Sequence, residues 1–237
     1  MTHKTLGVVG GLGLETGQKF CTAIASKVRN ATNVQPSIIC HIVNLPLTLE
    51  LDLVYGRVSE EHFSILKESV KSLELAGVDS IAIPCNTVHV FIDRLRCLSN
   101  TPIFSIIEET ALEIARKDLD TVGILASSTT VDAGLYQKEL SKHGIKAIFP
   151  TNTDQKIISD LIFNILNGNQ IQKNIVDSNK VIQKLEGAGA KAIILGCTDL
   201  RLVDLSSKLP IIDSTTVLEE TVINYLVGNT NNTTQHL

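Results

Sequence analysis

Two stretches of this 237-residue chain repeat each other, and that repetition restricts the fold more than any other feature. Gly77 is followed eight residues later by Cys85 across the apolar run Ile81-Ala82-Ile83, and Gly189 is followed eight residues later by Cys197 across Ile193-Ile194-Leu195. Each thiol then meets amide or hydroxyl residues, Asn86 and Thr87 in the first case and Thr198 in the second. The echo extends further: Leu6 to Val9 reads like Val122 to Leu125, and Pro102 to Ser105, with Glu108 and Glu109 after it, reads like Pro210 to Asp213, with Glu219 and Glu220 after it. The period is too long for a solenoid, so two similar lobes facing each other across a cleft are expected.

Short apolar runs alternate with stretches of helical period, the pattern of an α/β protein with mainly parallel sheets flanked by helices. Phe63, Leu66, Val70 and Leu73 share one helix face that Gly77 closes, and Phe20, Ile24 and Val28 mark the first helix. Further helices are predicted near 107–117, 132–143, 155–167 and 173–186. Strands are predicted near 5–10, 37–43, 80–84, 101–104, 121–126, 145–149, 191–196 and 209–212. The expected organisation is a first lobe over 1–115, a second over 116–215, a C-terminal helix over about 216–228 and a polar tail over 229–237.

Composition removes several classes of function. A formal charge of -4 and no basic stripe leave nothing to hold a nucleic acid. No segment approaches the roughly 20 apolar residues of a membrane helix, and the N-terminus lacks a signal-peptide core. Five cysteines without a close Cys-x-x-Cys pair argue for a reducing, cytoplasmic setting, with Cys21, Cys40 and Cys97 read as packing residues. Gly7, Gly10, Gly11, Gly13 and Gly17 resemble a dinucleotide fingerprint, but Thr16 stands where its third glycine belongs and the second strand ends without an acidic residue. His89, four residues after Cys85, has no counterpart near Cys197, which speaks against a metal site.

Ligands bind beyond the carboxyl ends of strands in open parallel sheets. Gly10 to Gly13, Cys85 to Thr87, Ser127 to Thr130 and Cys197 with Thr198 all fall there. A thiol where a helix starts is expected to be drawn toward thiolate by unpaired backbone amides. One thiolate could remove a proton from a carbon while a thiol on the opposite face returns one, inverting a stereocentre without cofactor or metal. Asn86, Thr87, Thr198 and the hydroxyls of Ser127, Ser128 and Thr129, with the Gly11-Leu12-Gly13 backbone, would hold a carboxylate whose charge grows in the transition state.

These motifs make the chain resemble the aspartate/glutamate racemase superfamily, in its aspartate racemase branch, from the N-terminal glycine turn to about residue 225. The resemblance implies a cofactor-independent racemase of two pseudo-symmetric α/β lobes, with the C-terminal helix returning to the first lobe, and a homodimer. It makes Cys85 and Cys197 the proton donor and acceptor, and Asn86, Thr87 and Thr198 the carboxylate binders. Two departures bear on the substrate. Leu12 and Leu14 replace the family's Met and Pro, and the family's side-chain-binding Arg and Lys have no counterpart in 47–52 or near Asn167. Glu50 or Asp52, with Asn167, would then receive a neutral or basic side chain. A cysteine-dependent isomerase or decarboxylase of small carboxylic acids, and a small-ligand binding protein without catalysis, remain as alternatives.

Overall fold

The computed structural model describes residues 4–228, so the tail expected over 229–237 lies outside the described residues. Two four-stranded parallel sheets carry the fold. In the first, β1 (Thr5–Gly10), β2 (Ser37–Ile42), β3 (Ser80–Ala82) and β4 (Ile103–Phe104) lie in the order β2-β1-β3-β4. In the second, β5 (Thr121–Ala126), β6 (Lys146–Ile148), β7 (Ala192–Gly196) and β8 (Ile211–Asp213) repeat that order as β6-β5-β7-β8. The internal echo of the sequence is thus an echo of topology, and each sheet carries one thiol just beyond its third strand.

The helices of the first half are α1 (Leu14–Thr32), α2 (Leu47–Val54), α3 (Glu60–Leu75), α4 (Ile92–Leu98) and α5 (Ile106–Arg116). Those that follow are α6 (Ser128–Asp132), α7 (Leu135–Lys142), α8 (Asn152–Leu166), α9 (Gln172–Gly187) and α10 (Ser214–Val227). Phe63, Leu66, Val70 and Leu73 are all buried on α3, as their spacing requires. The helix expected over 132–143 is two helices, because Gly134 in the left-handed region (φ 63°) breaks the path between α6 and α7. α2 and α4 are additional to the expected elements. α10 packs on α1 and α5, where Thr221 Oγ1 donates to Glu109 Oε2 at 3.1 Å. No helix among the described residues is long and apolar enough to cross a membrane.

The duplicated geometry includes matching ion pairs. Arg96 lies in the segment after the first thiol and grips Glu108 with its two terminal guanidinium nitrogens, at 2.7 and 2.8 Å. Arg201, after the second thiol, reaches Glu219 at 2.7 Å and Asp213 at 3.3 Å. All five cysteines are free, and two of the three read as packing residues are not: Cys21 packs on the core, but Cys40 and Cys97 are exposed.

Gly196 ends β7 in extremely close quarters: a Cβ there would lie 2.7 Å from the ring of buried Tyr136 and 3.2 Å from Ala126. Gly187, at the end of α9, would meet nothing within 4 Å. Gly196→Ala should therefore destabilise the fold by about 1–3 kcal/mol through overpacking. Gly187→Ala should be neutral or stabilising by up to about 1 kcal/mol. Urea unfolding of both variants checks the contrast.

Candidate active site

The carboxyl ends of the two sheets meet at one pocket, lined from both halves by Leu12, Gly13, Glu50, Cys85, Asn86, Thr87, Ser127, Cys197, Thr198 and Asp199. An apolar wall of Leu53, Val54, Ile162 and Leu166 closes the remaining side. The free space inside is about 30 Å³, room for a water or two. No arginine or lysine lines it, and no group of three or more His, Cys, Asp or Glu among the described residues is arranged to hold a metal.

Each thiol leads into a single 3₁₀ turn, Thr87–Phe91 after Cys85 and Thr198–Leu202 after Cys197. The backbone N–H groups of Val88 and Thr87 do point at the Cys85 sulfur and favour its thiolate. Burial opposes them and wins, aided by the negative charges of Asp199 and Glu50, so the Cys85 thiol is pushed up to about 12. Burial and then the Asp199 carboxylate likewise raise the Cys197 thiol well above its ordinary range. The expectation that helix starts would favour thiolate is corrected here: one turn of amides cannot offset desolvation beside two carboxylates. Both sulfurs are thus held toward the protonated thiol.

Asp199 is only 7% exposed, and its Oδ2 accepts from Cys197 Sγ at 3.7 Å while its Oδ1 accepts from Thr16 Oγ1 at 3.0 Å. Gly13 (φ 78°) allows this approach, since a Cβ would stand 2.8 Å from Asp199 Oδ1. Burial raises the Asp199 carboxyl to about 6, against the stabilising Thr16 hydrogen bond. Glu50 on α2 accepts the Gly13 N–H at 2.7 Å and is raised by burial.

Asn86 is fixed on two sides. Buried Tyr136 donates to its Oδ1 at 2.6 Å, and its Nδ2 donates to Ser214 Oγ at 3.0 Å, which in turn donates to the Leu195 carbonyl at 2.7 Å. One amide hydrogen of Asn86 is left over for a ligand. Thr87 Oγ1 pairs with Ser127 Oγ at 2.8 Å, joining the lobes beneath the pocket. His89 accepts the Ile106 N–H at Nε2 (3.2 Å), so Nδ1 carries the proton that it donates to the Cys85 carbonyl at 2.8 Å. Burial holds this imidazole neutral, down to about 4. It ties the Cys85 turn to the start of α5.

Of the residues singled out from sequence, Leu12, Gly13, Glu50, Cys85, Asn86, Thr87, Ser127, Cys197 and Thr198 come together in this pocket. Five do not line it. Gly11 (φ 87°) instead abuts Val43, Ser128 Oγ pairs with Ser159 Oγ at 2.9 Å, and Thr129 Oγ1 donates to the Leu53 carbonyl at 2.5 Å. Asp52 is drawn off by Arg57 at 2.6 Å, and exposed Asn167 donates to the Phe163 carbonyl at 2.8 Å. Asp199, Tyr136 and the apolar wall were missed as ligand-facing or supporting groups; only the Cys197-Thr198-Asp199 adjacency was a signal for any of them.

A family model for Asp/Glu/hydantoin racemases matches residues 9–221, and the chain belongs to that family. It is 29% identical over 229 residues to the broad specificity amino-acid racemase RacX of Bacillus subtilis, covering 93% of this chain and 98% of that protein. A crystal structure of a candidate Asp/Glu racemase from Yersinia pestis superposes with a TM-score of 0.82 at 26% identity, over 94% of this chain and 99% of the other. An aspartate racemase homologue from Pyrococcus horikoshii OT3 shares the fold at a TM-score of 0.73 and 24% identity, over 94% and 99% of the two chains.

Because folding raises the Asp199 carboxyl from 3.8 to about 6, ionising it in the folded state costs stability. The cost is absent below the unfolded value, grows as pH rises between the two values and is constant above the folded one. Asp199→Asn should stabilise the fold at pH ~8 by up to about 3 kcal/mol, and the gain should vanish near pH ~3.5. Denaturant titrations at both pH values check this.

Proposed function

We propose that this protein is a cofactor-independent amino-acid racemase using Cys85 and Cys197 as its two bases, acting on neutral or basic amino acids. The observation that carries the reading is the convergence of both thiols, one from each half, on one pocket that holds two carboxylates and no cation. With Cα between the sulfurs, one thiolate takes its proton and the opposite thiol supplies another, after which the two have exchanged protonation states. The substrate ammonium placed beside Glu50 and Asp199 offsets the charges that hold the thiols up. Asp199, in contact with Cys197 Sγ and itself raised to about 6, is placed to accept that thiol's proton.

The spare Asn86 N–H and the hydroxyls of Thr87, Ser127 and Thr198 receive the substrate carboxylate, whose negative charge grows as the carbanion forms. Leu53, Val54, Ile162 and Leu166 take an aliphatic stem. Two carboxylates in the pocket exceed what one α-ammonium requires, which favours a side chain carrying a second cation and disfavours aspartate and glutamate.

Cys85→Ser and Cys197→Ser should each lower Cα hydrogen exchange by at least about 100-fold, with wild-type exchange persisting in chelator and without pyridoxal phosphate. Deuterium incorporation from D₂O across a panel of L-amino acids, followed by NMR, is the measurement. Exchange confined to aspartate and glutamate would defeat the substrate assignment. Full activity after loss of either thiol would defeat the two-base mechanism and favour single-cysteine chemistry.

A further inference from the structure

The thiol pocket is too small for its ligand as it stands. About 30 Å³ of free space holds a water or two, and even the smallest amino acid is several times that size. Cys197 is buried and Cys85 only partly exposed, so one wall must move before an amino acid can sit between the two sulfurs. Of the elements around the pocket, α8 is a 15-residue helix with Ile158, Leu161 and Ile162 in the core of its half. α2 is shorter, with eight residues, no side-chain hydrogen bond at its N-cap, and only Leu53 and Val54 buried. It follows Pro46 and precedes Gly56, which is in the left-handed region at φ 84°. Leu47 at its start is 51% exposed, while Glu50, Leu53 and Val54 face the pocket.

The two ends of α2 are fastened to opposite halves of the molecule. At its first turn, His62 of α3 receives the Ser59 N–H at Nδ1 (3.1 Å), so Nε2 carries the proton donated to the Leu49 carbonyl at 2.9 Å. At the other end, Thr129 Oγ1 of α6 donates to the Leu53 carbonyl at 2.5 Å, and Tyr55 OH donates to Asp160 Oδ1 of α8 at 3.2 Å. Thr129 is buried and makes this bond rather than facing the pocket.

We infer that α2 is the gate of the thiol pocket, hinged on the first half at His62 and latched to the second at Thr129 and Tyr55. Thr129, Tyr55 and His62 are positioning residues: the latch breaks to admit substrate and re-forms to seal Leu53 and Val54 over it. Closure excludes water and carries Glu50 back onto the Gly13 amide. The inference rests on the racemase reading only in taking this pocket as the place substrate must reach, and the test below needs no turnover.

Iodoacetamide alkylation at fixed pH, resolved by peptide mapping, reads how often the pocket opens, with exposed Cys97 as the internal reference. Thr129→Val, which keeps the shape and removes the hydroxyl, should speed alkylation of Cys85 and Cys197 relative to Cys97 by about 2- to 10-fold. That is the factor by which one hydrogen bond shifts an open–closed equilibrium. Tyr55→Phe should act in the same direction, and Thr129→Ser should behave as wild type. Ser128→Ala is the control, because its hydroxyl bonds Ser159 and not α2. Unchanged Cys85 and Cys197 rates in both Thr129→Val and Tyr55→Phe, or an equal rise in Ser128→Ala, would overturn the gate. Loss of exchange activity with the alkylation pattern intact would instead count against the racemase reading alone.

Discussion

Desolvation is the constraint on which the site depends. Two thiols and two carboxylates share one narrow pocket at the meeting of two sheet edges, with no cation among its lining residues. Every one of the four is held toward its neutral form by burial. The rest of the architecture serves that arrangement. Parallel strands deliver the sulfurs at their carboxyl ends, Gly13 and Gly196 allow close approach where a Cβ would collide, and hydrogen bonds from Tyr136 and His89, with one that Asn86 donates to Ser214, fix the polar groups around the thiols. On the racemase reading, a site tuned this way is quiet when empty and responds to an entering ammonium group.

The fold was legible where local pattern and tertiary demand agreed. The repeated glycine-to-cysteine spacing marked both third strands and both thiols, and the α3 face announced itself by period. α2 was hidden for a physical reason: Leu47 to Val54 alternates apolar and polar residues with the period of a strand. That stretch becomes a helix in a place where its wider apolar side can cover the pocket. Among Ser127, Ser128 and Thr129, successive positions at a helix start point in different directions, so one of three hydroxyls reaches the cavity. The protonation of the thiols was unreadable from sequence for a further reason. Neighbouring amides are local and visible, whereas the burial that overrides them comes from walls contributed by distant segments, and the charges that raise Cys85 further, Asp199 and Glu50, lie outside its own segment.

The halves are copies in topology but not in electrostatics. Cys197 has a carboxylate against its sulfur, whereas Cys85 has a neutral imidazole behind its carbonyl. On the racemase reading this inequality has a sharp kinetic meaning. Mirror-image reactants and products have equal free energy, so kcat/KM must be identical in the two directions however different the sulfurs are. The asymmetry can surface only in how that ratio divides: one enantiomer would bind more weakly and turn over faster, in strict proportion. A duplicated scaffold can thus let its two copies diverge and still leave the chemistry it performs without a preferred hand.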